Sequence, residues 1–72
     1  MAIEKIPSPV TGIVWKQLVQ VGEQLAEGDT LYLVESMKME IPVTMPRDGR
    51  VTALLVKEED SVAENQDVAE IE

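Results

Sequence analysis

The run Glu35-Ser36-Met37-Lys38-Met39-Glu40 holds the residue types in this 72-residue chain that point most directly to chemistry. A free lysine amine is protonated at neutral pH and becomes a nucleophile only beside a base or in a desolvating pocket. The chain has no His and no Cys, and no nucleophile–base pair can be picked out of it. Lys38 therefore reads as an attachment point, acylated by another protein and uncharged once acylated, and not as a catalyst. A long flexible group joined there would form a tethered arm, and tethering raises the local concentration of the group at its end.

The flanking residues must position that amine. Strand-like sequence, Thr30-Leu31-Tyr32-Leu33-Val34, precedes it, and Ile41-Pro42-Val43-Thr44 follows it. This predicts a hairpin with Lys38 near its tip. Tight hairpin turns favour Asn, Asp or Gly because their central residues need positive φ. Met37 and Lys38 break that rule at an exposed place, which marks a functional site. Two local irregularities accompany the hairpin. Leu31 and Val34 are three apart, so strict alternation fails and a bulge or strong twist is expected. Pro42 must lie on an edge or turn its missing donor away from the ladder.

The chain repeats itself. Under a shift of 37 residues Pro9 meets Pro46, Gly12 meets Gly49, Val14 meets Val51, Ala26-Glu27 meets Ala63-Glu64 and Glu35 meets Glu72, without a gap. The copies span about residues 9–35 and 46–72 of one expected domain, 1–72. Each reads as short strands between turns, over 2–7, 12–21, 24–26, 30–35 and 39–44, then 50–56, 61–63 and 67–72. Strand signals this closely spaced predict an all-β sandwich or barrel with approximate two-fold symmetry. Gly12, Gly22, Gly28 and Gly49 read as turn residues, since neither phosphate-loop pattern is present. Trp15 reads as a packing residue on a sheet face.

Composition excludes several classes. Without Cys or His there is no disulfide framework and no Cys/His zinc site. With no Phe, one Trp and one Tyr, the core is expected to be aliphatic. No apolar run approaches the roughly 20 residues of a membrane helix. The opening Met1-Ala2-Ile3-Glu4 is no signal peptide, so the expected compartment is the cytoplasm. The net charge is −8 and the six basic residues are scattered, which argues against nucleic acid as a partner. Nothing in the sequence indicates an obligate homo-oligomer. No Ala/Pro-rich linker precedes the domain, so a free-standing protein is expected.

Glu35-Ser36-Met37-Lys38-Met39 resembles the attachment motif of biotinyl carrier domains, with Ser36 where that family usually has alanine. The run Val19, Gly22-Glu23, Leu25, Gly28, Leu31, Val34-Glu35 matches the pattern leading to the family's modified lysine, and in the second copy Glu59 and Asn65 replace its two glycines. The resemblance covers nearly the whole chain. It implies a flattened barrel-sandwich hybrid of two antiparallel four-stranded sheets. The gapless repeat leaves no room for the protruding insertion of some members, so the chain is similar to the thumbless type. It further implies that Lys38 carries biotin as an amide, with Met37 and Met39 beside it and Glu35 and Ser36 read by a biotin protein ligase using biotinyl-adenylate. A biotin carboxylase would then load a carboxyl group from bicarbonate with ATP. A carboxyltransferase would pass it to an acceptor such as an acyl-CoA or keto acid, as in acetyl-CoA carboxylase. So small a domain would be shuttle, not enzyme.

Two other readings stay open. Lipoyl domains resemble biotinyl ones but usually have Asp before the lysine and Ala or Val after it, so lipoate is the less favoured cofactor, with dual attachment between the two. The third reading is an unmodified β-domain whose Met37-Lys38-Met39 is an accident of a hairpin tip.

Overall fold

The computed structural model describes residues 2–72, leaving Met1 outside the described residues. These residues form eight strands and no helix: β1 (Glu4–Pro7), β2 (Gly12–Gln17), β3 (Gln24–Leu25), β4 (Thr30–Ser36), β5 (Met39–Thr44), β6 (Gly49–Leu54), β7 (Ser61–Val62) and β8 (Asp67–Ile71). They assemble into two four-stranded sheets, ordered β1-β8-β6-β3 and β5-β4-β2-β7, with every pairing antiparallel. The expected all-β architecture is the one observed. The strands expected over 12–21 and 50–56 end sooner, at Gln17 and Leu54.

The 37-residue repeat governs the register. Leu31 is an extra residue between the pairs Thr30↔Thr44 and Tyr32↔Val43, and its counterpart Val68 lies between Ile6↔Ala69 and Pro7↔Asp67. Trp15 is extra between Val14↔Val34 and Lys16↔Leu33, and its counterpart Thr52 lies between Val51↔Ile71 and Ala53↔Glu70. The bulge at Leu31 explains the broken alternation: one unpaired residue lets Leu31, Tyr32 and Val34 all be buried. Pro42 sits on β5, an edge strand, where its missing N–H costs no ladder bond.

The halves interlock through their turns. The Gly22 N–H donates to Val51 O and the Val51 N–H to Glu23 O, at 2.8 and 3.0 Å. In the other half the Glu59 N–H donates to Val14 O and the Val14 N–H to Asp60 O, both at 2.8 Å. Each turn thus docks on the opposite copy's long strand, which makes one cooperative unit of the two repeats. Between the sheets lie Ile6, Val14, Val34, Val43, Val51, Val68 and Ile71, joined by Tyr32. The core is therefore not purely aliphatic. Tyr32 is fully buried, and its hydroxyl donates to Val56 O at 2.7 Å, which removes the desolvation cost of that group.

The glycines divide by role. Gly22 and Gly28 hold φ of 95° and 89° in turns, and their counterparts Glu59 and Asn65 hold 77° and 71°. Gly12 and Gly49 are not turn residues: each opens a strand. A Cβ on Gly12 would collide with the Glu35 carbonyl, and one on Gly49 would lie 2.7 Å from Glu72 O. Close backbone approach demands glycine there. Trp15 lies on the outside of its sheet, 46% exposed, with Lys16 Nζ 5.1 Å from the ring centroid, so it is not buried packing.

Candidate functional site

Every residue singled out at the motif lies at one end of the β4–β5 hairpin. Ser36↔Met39 is the last strand pair, Glu35↔Glu40 the pair before it, and Met37 and Lys38 form the two-residue turn. Met37 has φ 51° and Lys38 φ 67°. Two successive positive-φ residues define the type I′ turn whose twist matches the flanking strands. For residues with a Cβ this conformation costs about 1–2 kcal/mol each. The hairpin bears that strain with side chains that return almost no burial: Met37 is 93% exposed and Met39 62%.

The turn is held up from below. Six register pairs join β4 to β5, from Thr30↔Thr44 to Ser36↔Met39. Glu35 also pairs with Ile13 on β2, and the missing Cβ of Gly12 lets β2 close onto the Glu35 carbonyl. The strained turn thus stands on a short, stiff, three-stranded base. Gly12 is the supporting residue that sequence reasoning misplaced. The alignment of the two copies repeats Gly12 and Glu35 as Gly49 and Glu72, and that recurrence was the available signal.

Electrostatically the tip is acidic. Glu35 and Glu40 are opposite one another across the strands, a like-charged arrangement that costs stability. The ion pairs among the described residues are Arg47–Glu4 and Arg50–Glu72, so Lys38 takes part in neither. The same residues contain no group of three or more metal-ligating side chains. The one titrating group clearly displaced from its ordinary value is Tyr32. Burial pushes its hydroxyl up, the bond to Val56 O pulls it down, and Asp60 adds a smaller upward push. It lies in the core and not at the tip. The geometry leaves the Lys38 side chain exposed at the tip and outside both ion pairs, so that its amine is open to covalent attachment.

Two four-stranded sheets with a lysine at a hairpin tip define a class of small all-β domains, and comparison with known proteins gives the family. Residues 3–71 match the biotin/lipoyl family model described as "Biotin-requiring enzyme", and the chain belongs to this family. It is 39% identical over 62 residues to the biotin/lipoyl attachment protein of Bacillus subtilis, covering 86% of this chain and 85% of that one. It is 40% identical over 58 residues to pyruvate carboxylase of Aspergillus terreus, covering 81% of this chain but 5% of the relative. Among solved structures, the urea carboxylase of Kluyveromyces lactis matches the whole chain with a TM-score of 0.93 and 33% identity, over 6% of its own length. No helix among the described residues is long and apolar enough to cross a membrane.

Proposed function

We propose that this chain is a biotin carrier in which Lys38 is the attachment residue. The observation that carries the reading is the strained type I′ turn that presents Lys38 between two exposed methionines, in a chain of the biotin/lipoyl family. The residues present fit the group. The lysine has no ion-pair partner to give up, nothing covers the turn, and its main chain is fixed by the β4–β5 ladder. On attachment the amine loses a proton and forms a C–N bond to the cofactor's activated carboxyl carbon as the activating group leaves. Biotin, when bound, supplies a site that takes up and gives up a carboxyl group. The chain itself supplies reach, orientation and a surface for partners: a biotin protein ligase first, then biotin carboxylase and carboxyltransferase sites on other domains or chains. Relatives named for three different carboxylases support that reading. The domain is substrate and shuttle, a reading supported by its family and by relatives that are carboxylases many times its length.

A second reading, lipoate or dual attachment, is favoured by one observation. One relative of similar length, from Bacillus subtilis, is named for both groups. Co-expression with a biotin ligase or a lipoate ligase, followed by intact mass, separates the cases. One added biotin on the wild type and none on Lys38→Arg is the expected result. Labelling that persists in Lys38→Arg refutes the assignment, and addition of lipoate alone replaces biotin by lipoate.

A further inference from the structure

The two-fold repeat provides an internal control. Both sheets have the same shape, so the outward residues of one can be compared, position by position, with those of the other. On the Lys38 sheet the outward rung Lys16–Leu33–Pro42 crosses three strands. Its counterpart on the other sheet is Ala53–Glu70–Lys5. Ile13, beside Glu35, corresponds to Arg50, whose side chain pairs with Glu72. Trp15 corresponds to Thr52. The control sheet thus carries Glu70, Lys5 and Arg50 at the counterparts of Leu33, Pro42 and Ile13, and Arg50 is ion-paired to Glu72. The Lys38 sheet carries Leu33, Pro42, and the 44% and 46% exposed Ile13 and Trp15 in the same places. The fold accepts charge at three of these four positions and a threonine at the fourth, so it does not require the apolar residues. Contiguous exposed apolar surface with a polar border marks an interaction site.

The position of this face decides what it meets. Ile13–Glu35–Glu40 is the rung next to Ser36–Met39, which flanks Lys38. At about 3.3 Å per residue the Leu33 rung lies roughly 10 Å from the Ser36 rung. A standard interface of about 800 Å² per partner spans that distance. Once loaded, a long arm lets later partners stand off from the tip. The bare lysine has only its four-carbon stem, so the enzyme that acylates it must close onto the hairpin and rest on a face beside it. A second copy of the chain is a poor occupant, because two surfaces of net charge −8 repel.

We propose that the outer face of the Lys38 sheet, built on Ile13, Trp15, Leu33 and Pro42, is the docking surface for the enzyme that acylates Lys38. That enzyme's matching surface is apolar and bordered by basic residues that meet Glu35 and Glu40. The proposal rests on Lys38 being acylated, as argued above.

The test exchanges each face for its own counterpart. Leu33→Glu with Pro42→Lys installs the residues that Glu70 and Lys5 supply at the counterpart positions. Ile13→Arg with Trp15→Thr does the same at the other positions, and decides the question by itself should the first variant lose its far-UV circular dichroism. The control exchanges charges on the opposite sheet, Lys5→Glu with Glu70→Lys. Steady-state biotinylation is measured with a biotin protein ligase, biotin and ATP. The expected result is a rise in KM of about tenfold or more with kcat little changed for either face variant, the effect of losing one interfacial anchor, and no change for the control. An unchanged KM in a folded face variant, or an equal rise in the control, overturns the docking surface while leaving the carrier reading intact. A wild-type chain that is not labelled overturns both. A wild-type dimer in sedimentation that the face variants dissociate assigns the surface to a second copy and overturns the proposed occupant.

Discussion

Met37→Asn separates what the tip does for stability from what it does for function. Met37 holds φ 51° and is 93% exposed, so replacing it forfeits almost no buried area. A left-handed conformation costs an ordinary L-residue about 1–2 kcal/mol, and asparagine escapes part of that because its short polar side chain bonds locally. The variant should gain about 0.5–1.5 kcal/mol, a rise on the order of 5 °C in Tm for a domain of this size. Urea unfolding followed by Trp15 fluorescence gives the free energy, and biotin ligase kinetics give the labelling efficiency. We expect stability to rise and, if the proposed reading holds and the ligase touches Met37, kcat/KM for labelling to fall about tenfold. Glu59→Gly is the companion. Glu59 has φ 77° at the position where the first copy has Gly22. Relief of strain, less the added freedom of glycine in the unfolded chain, leaves a gain of about 0.5–1 kcal/mol. Labelling should be unchanged, since Glu59 belongs to a turn docked on Val14. A Met37→Asn chain that is less stable, or that is labelled as well as wild type, would show that the tip is neither strained nor specified as argued.

Three further outcomes follow from the same geometry. Met37→Asp with Met39→Ala reproduces the residues usual around a lipoylated lysine, and should shift relative labelling from a biotin ligase towards a lipoate ligase; no shift places specificity elsewhere on the hairpin, around Glu35. Gly12→Ala drives a Cβ into the Glu35 carbonyl and within 3.0 Å of Val34 Cγ1. A backbone clash cannot be relieved by a rotamer, so a loss of about 1–3 kcal/mol is expected in urea unfolding, with reduced labelling as the tip is displaced. Tyr32, the chain's one tyrosine, titrates above its ordinary value because it is buried. A group raised on folding contributes stability that is complete below its unfolded pKa of about 10 and is lost as pH rises through the folded value. Unfolding free energy should therefore fall above about pH 10, and the part lost with Tyr32 should be absent in Tyr32→Phe.

The architecture was legible in the sequence because two independent copies of it are written there. A turn signal at Gly22 is weak alone, but its flanks recur 37 residues on, Leu18-Val19 as Leu55-Val56 and Ala26-Glu27 as Ala63-Glu64, so the turn carries over to Glu59 without its glycine, and there the structure has positive φ. The hairpin tip was legible for the opposite reason: it violates turn chemistry, and residues that defy a local rule at an exposed place require another explanation. What could not be read was the local geometry of close contacts. Gly12 looks like a turn glycine because sequence records the missing side chain but not the Glu35 carbonyl that fills its place. Tyr32 was missed as a core residue because periodicity counts faces by twos. The bulge at Leu31 resets that count, and the acceptor that makes a buried phenol tolerable, Val56 O, lies 24 residues away.

The remaining question is how a domain so small keeps its working end clear of everything else, and β5 supplies the answer. Lys38 stands just before Met39, where β5 begins. Beyond its other end, past Thr44, come Met45 and then Arg47, whose Nε donates to Glu4 Oε1 at 2.8 Å. The start of β1 is therefore at the far end of β5, and the two edge strands run in opposite senses. Glu4 pairs with Ile71 on β8, and Glu72 exchanges backbone hydrogen bonds with Arg50. Residues 4 and 72 thus gather at the end of the sandwich away from the turn. The two-fold requires this: applied to the β4–β5 pair that bears Lys38, it yields the β8–β1 pair of the two terminal strands. The same operation that lets one short repeat build a whole core places the Lys38 turn and residues 4 and 72 about a β5 strand apart. At roughly 3.3 Å per residue, six residues of β5 make that separation about 20 Å. Tethering to any larger assembly through residues 4 or 72 then leaves the turn, and the sheet face beneath it, open to a partner.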